Sequence, residues 1–103
     1  MIHLIIFKYL IPFYNPKKKQ VKIAFVYGKS SLTSGWTYAH ELGRLHIENK
    51  FKNQIQTKKV ENVPEDETAY ETFKTLAKEG MDLVFATSPT YLAPALKAAM
   101  EFP

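Results

Sequence analysis

The sequence contains no cysteine, which excludes disulfides, thiolate metal sites and cysteine nucleophiles. Glycine is scarce, with four residues in 103, and neither GxGxxG nor GxxxxGK followed by Ser or Thr occurs. A dinucleotide fingerprint and a phosphate-binding P-loop are thereby missing. Gly28-Lys29-Ser30 matches only the tail of a P-loop, because the position that needs the first glycine is Ile23. Long apolar runs are also lacking. Residues 1–15 are apolar and aromatic but broken by His3, Lys8 and Pro12, and a membrane-spanning helix needs about 20 such residues. This stretch has neither the positive start nor the small-residue cleavage site of a good signal peptide. It stands as a degenerate secretory leader, translated sequence ahead of the true domain, or a short interfacial or extra strand. Finally, the first 22 residues hold no acid against Lys8, Lys17, Lys18, Lys19 and Lys22, while the rest carries nine basic and ten acidic residues. The net charge of +4 is therefore one local run beside Pro16, unlike the basic face of a nucleic-acid reader, and no nucleic-acid partner is expected.

What is present suits a soluble globular domain: 46% of residues are apolar and 23% charged. The length allows one domain with a modest core. Val21–Tyr27 is a mostly apolar run ending at Gly28, the pattern of a buried parallel strand. A polar turn over Lys29–Gly35 precedes a predicted helix from Trp36 to Phe51, whose inward face by helical spacing is Ala39, Leu42, Gly43, His46 and Ile47. Ile55–Val63 reads as a strand stopped by Pro64. Asp66 can cap a helix with Glu67 in its first turn, and Ala69, Phe73, Leu76 and Ala77 form its apolar stripe. Gly80 ends it. Met81–Ala86 is a second buried strand, Thr87–Thr90 a turn, and Tyr91–Glu101 a last helix.

Strand and helix alternate three times, which implies right-handed crossovers and a parallel sheet covered on both faces. The fold class is therefore α/β, a three-layer parallel sheet with strand order 2-1-3. Ligands of such sheets sit beyond the carboxyl ends of the strands, which singles out Gly28–Trp36 and Thr87–Tyr91. The outer edge of the third strand, with no strand after it in the sequence, is expected to be open and prone to association.

Catalysis is not indicated. No Ser-His-Asp, Cys-His or paired-carboxylate spacing occurs, and Glu65, Asp66 and Glu67 read as a helix start. His40 and His46, six apart on one helix, lie on different faces and cannot share a metal. His46 is expected inside, hydrogen-bonded, and His40 at the surface or capping a loop. No metal or cofactor is expected. Trp36, the only tryptophan, can either stack on a flat heterocycle or staple its helix to the sheet.

Three stretches are similar to one known family, the basic membrane protein (purine nucleoside receptor-like) solute-binding proteins. They are Val21–Tyr27 with Gly35-Trp36-Thr37-Tyr38-Ala39-His40-Glu41-Leu42-Gly43-Arg44; Val60-Glu61-Asn62-Val63-Pro64-Glu65; and Asp82–Ser88 running through Tyr91, Pro94, Leu96-Lys97 and Glu101-Phe102-Pro103. The resemblance implies a type I periplasmic-binding-protein fold of roughly three times this length. Residues 21–103 would be a partial N-terminal lobe and residues 1–20 an unassigned apolar and basic leader. It further implies an extracytoplasmic, usually lipid-anchored receptor that performs no chemistry and hands a purine nucleoside or nucleobase to an ABC permease. By position, Trp36 would be an aromatic wall and Ser88 and Tyr91 the floor, with Gly35 and Thr87 beside them. Leu32-Thr33 stands where the family has Gly-Asp, and Pro89-Thr90-Tyr91-Leu92-Ala93 where it has Phe-Gly-Tyr-Met and an Asp or Asn. Both departures remove polar groups or glycines from the cleft side and imply weak or no binding by this chain alone. A non-binding remnant and, on fold analogy only, a flavodoxin-like enzyme domain stay open as alternatives.

Overall fold

The structure, a computed structural model, describes the strand His3–Ile5 and residues 20–103. In chain order the elements are β1 (His3–Ile5), β2 (Val21–Val26), α1 (Gly35–Phe51), β3 (Ile55–Val60), α2 (Tyr70–Lys78), β4 (Leu83–Ala86) and α3 (Leu92–Glu101), with short 3-10 turns at Lys52–Gln54, Glu67–Ala69 and Pro89–Tyr91. The sheet runs β1-β4-β2-β3. The three strands expected from the sequence are parallel and in the order 2-1-3, with β2 between β3 and β4: Ile23 is level with Thr57 and Leu83, and Val26 with Val60 and Ala86.

β2 is central because every residue from Ile23 to Val26 is buried, whichever face it points to. Ala24 and Val26 join Val84 and Ala86 in a core sealed by Ala69, Phe73 and Leu76 of the α2 segment and by Tyr91, Ala95 and Ala98 of the α3 segment. Ile23, Phe25 and Tyr27 point the other way, against Ile47, Ile55, Leu83 and Phe85. There Phe25 and Phe85 stack with ring centres 4.7 Å apart. The apolar stripe foreseen for α2 is the one that packs.

Three expectations change. β3 ends at Val60 rather than Val63 because Asn62 takes the left-handed conformation, φ 59°, which a β-branched residue resists and asparagine tolerates. The outer edge of β4 is not open. His3–Ile5 lies antiparallel along it, His3 opposite Ala86 and Ile5 opposite Val84. Gln20 apart, the remainder of the proposed leader lies outside the described residues.

The third change concerns the inward face of α1. Ala39, Leu42, Gly43 and His46 are exposed, and of the foreseen face only Ile47 is partly buried. Thr37 and Glu41 are buried instead. The cause is Tyr27, whose ring is fully buried at the end of β2 and whose hydroxyl needs an acceptor. It donates to Glu41 Oε1 at 3.0 Å. Arg44 grips the same carboxylate with two donors, Nε at 2.8 Å and Nη2 at 2.6 Å, and extends to Thr57 and Glu48. Lys59 on β3 approaches Glu41 at 3.2 Å. A saturated polar cluster thus occupies the contact where helical periodicity placed apolar residues, and Tyr38, Leu42 and Leu45 turn outward.

Candidate functional site

Three turns leave the carboxyl ends of the parallel strands, and backbone bonds beyond the strands hold them together. Tyr27 N–H donates to Val60 O at 2.9 Å and Val63 N–H to Tyr27 O at 3.0 Å. Thr87 gives both its N–H, at 3.3 Å, and its hydroxyl, at 2.7 Å, to Val26 O. These bonds fix the first turn (28–34), the second (61–66) and the third (87–91) relative to one another before any ligand is considered.

From the first turn, Ser34 caps α1 by accepting the Thr37 N–H at 3.2 Å. Gly35 opens the helix with no described atom within 4 Å of where its Cβ would sit. Trp36 follows. Its indole N–H donates to Thr87 O at 2.8 Å, so the ring spans from the first turn to the third. It remains 51% exposed, with the His40 imidazole inclined beside it, 5.0 Å between ring centres and 50° between planes. His40 is held by its ring Nδ1, 2.9 Å from Trp36 O. The ring is thus tethered at its nitrogen and half exposed.

The other residues singled out in the sequence are placed unequally. Thr87 is buried and its hydroxyl is committed to Val26, so it holds the rim and offers it only backbone. Ser88 is nearly covered, caps the 3-10 turn ahead of α3 and donates its hydroxyl to Glu65 Oε1 at 2.7 Å. Tyr91 does not form a floor. It is fully buried on the α2/α3 side of the sheet, edge-on to Phe73 with ring centres 5.6 Å apart, and its hydroxyl is spent on Val63 O at 2.6 Å. Burial pushes this phenol above its ordinary range, with the nearby Glu65 and Asp66 charges adding to the effect. Trp36 begins the helix of the opposite layer, so indole and phenol do not face each other. Tyr91 instead ties the third turn to the second from beneath.

Sequence reading missed Glu65. The helix start belongs to the two residues after it: Asp66 caps it, accepting the Thr68 N–H at 2.8 Å, and Glu67 lies in its first turn. Glu65 reaches back across the strand ends. Its Cδ and Oε2 lie 2.7 Å from where a Cβ on Gly28 would sit, so the missing side chain at Gly28 is what admits the carboxylate. A signal was available: Glu65 follows the second parallel strand at its carboxyl end, and the order 2-1-3 brings that end beside the first turn. No ion pair among the described residues involves Glu65. The result is a rim with one half-exposed indole, one carboxylate that has no ion-pair partner among the described residues, and a serine hydrogen-bonded to that carboxylate. It has the elements of a site for a flat molecule bearing hydrogen-bond donors.

The family model described as ABC transporter substrate-binding protein PnrA-like matches residues 20–103. The chain belongs to that family. It is also 33% identical over 86 residues to a purine-binding protein of Brucella abortus (strain 2308), an alignment covering 84% of this chain and 25% of that protein. The chain thus spans about a quarter of the length of the curated relative it matches. In this chain the matched segment holds the three parallel strands, their helices and the turns that leave them. Among the described residues no group of acidic and histidine side chains could hold a metal ion, and no helix is long and apolar enough to cross a membrane.

Proposed function

We propose that the chain supplies one wall of a purine site in the extracytoplasmic solute-binding component of an ABC importer, which passes a nucleobase or nucleoside to a permease without changing it. The observation that carries this reading is Trp36, a half-exposed indole fixed by Thr87 at the carboxyl end of a 2-1-3 parallel sheet. A purine stacked on one indole face gains about 1–3 kcal/mol, and the purine-binding relative supports that choice of heterocycle. Gly35 leaves room above the helix start, Ser88 and the Thr87 backbone border the ring, and Tyr91 keeps the third turn in place. The leader, the lipid anchor and the export that the resemblance implies belong to the same proposal.

Because Trp36 is the only tryptophan, its fluorescence reports on this site alone. Titration with adenine, adenosine or guanosine should change the emission saturably, with a dissociation constant of ~1 mM or weaker, as one wall with few polar contacts would give. Ribose alone should leave it unchanged. A linear response to every purine up to its solubility would refute the proposal.

A further inference from the structure

We propose that Glu65 is the hydrogen-bond acceptor of this site and reads an N–H or O–H donor on the edge of the bound molecule; this rests on the purine reading above. The carboxylate has two oxygens with different duties. Oε1 takes the Ser88 hydroxyl at 2.7 Å, which fixes the group in the rim. Oε2 lies over Gly28, 2.7 Å from a notional Cβ there, and accepts no hydrogen bond from a described residue. A carboxylate is acceptor-only when ionised, and no cation among the described residues shares this one. Glu65 is itself exposed, so a ligand can reach it.

The placement also defines where the donor must be. Trp36 is bonded to the carbonyl of Thr87 and Glu65 to the side chain of the next residue, Ser88. Stacking surface and acceptor are therefore anchored on successive residues of one turn. A flat heterocycle carries its hydrogen-bond donors on its edge, so the group that Glu65 reads is an edge group. The chemistry selected is a planar heterocycle with a peripheral amine, ring N–H or attached hydroxyl. A heterocycle whose edge carries only acceptors would meet like polarity and be rejected.

A thermodynamic cycle tests this with the whole chain. The ligands are adenine and 6-dimethylamino-9-methylpurine, which keeps the ring but has no N–H. The proteins are wild type, Glu65→Ala and Gly28→Ala. The last keeps the carboxylate but puts a methyl group where it now rests, and only the mobile end of Glu65 must move aside. Wild type should prefer adenine by about tenfold or more, the worth of a hydrogen bond to a charged acceptor. The preference should collapse toward unity in both variants, while their melting temperatures stay near wild type. Adenine preference retained in Glu65→Ala would overturn the role of Glu65 and leave the purine reading standing. Failure of wild type to bind either ligand would overturn both.

Discussion

Alanine at Trp36 is expected to abolish saturable purine binding while costing about 1–3 kcal/mol of stability, less than the ~3–5 kcal/mol of a core tryptophan truncation. The two effects separate because of how the ring sits. Half of it is already in water, so truncation uncovers less apolar area than it would at a core tryptophan. The bond from the indole N–H to Thr87 O is lost as well, worth about 1 kcal/mol net. The carbonyl it frees lies at the rim, where water can replace the donor. Thr87 itself stays anchored by its two bonds to Val26. Phenylalanine at the same position should restore part of the binding without the tether. Isothermal titration and a thermal melt on each variant decide the matter. A melting temperature lowered as far as a core truncation would lower it, with binding intact, would make Trp36 a staple and remove it from the site.

A larger stability effect is expected at Glu41. Glu41→Ala takes the acceptor from a fully buried Tyr27 and leaves the Arg44 guanidinium, only 12% exposed in its side chain, beside Lys59 with the half-exposed Glu48 as its remaining counter-charge. Breaking such a pair from one side costs about 3–5 kcal/mol, a large share of the 5–15 kcal/mol that holds an ordinary domain together. The same cluster sets a pH dependence. Arg44's hydrogen bonds, helped by those from Lys59 and Tyr27 and opposed by burial, hold the Glu41 carboxyl down to about 2 against an ordinary value of 4.5. The folded state therefore favours the charged form, and its contribution is complete above the ordinary value. It is expected to fade as pH falls from about 4.5 toward about 2. Glu41→Gln should flatten that acid limb in melts recorded across the interval. An unchanged limb, or a Glu41→Ala variant as stable as wild type, would show the cluster to be ornamental.

These residues also mark where the sequence was legible. Strand order and helix order could be read because β2 and β4 are apolar runs closed by Gly28 and by the Thr87-Ser88-Pro89 turn, and α2 carries its core residues at helical spacing. The same counting failed for α1, since periodicity scores apolar residues and this helix buries a carboxylate and a guanidinium against a tyrosine hydroxyl. Its apolar residues, Tyr38, Leu42 and Leu45, face outward and mimic a core stripe. At the rim, the rule that ligands lie beyond the strand ends singled out turns that the fold does bring together, the Trp36 indole reaching Thr87 O. It could not say which side chain of a turn points into the core. Tyr91 does so because Phe73 and the Val63 carbonyl offer its ring and hydroxyl a better place than water. Glu65 was hidden by its neighbours: three successive acids before a helix read as dipole partners, and only the contact with Gly28 and Ser88 separates the first of them from that role. The strand at His3–Ile5 had no signal beyond apolar character, since its pairing with β4 joins residues some eighty positions apart.

The most direct test is a nitrogen-edited NMR titration of the intact chain with adenine. Saturable shifts should concentrate on the Trp36 indole N–H and on the amides of Gly28, Gly35, Glu65 and Ser88, with Leu42 and Leu45 on the outer face of α1 unmoved. Shifts gathered on that outer face, or none anywhere, would contradict a purine site at the carboxyl ends of these strands.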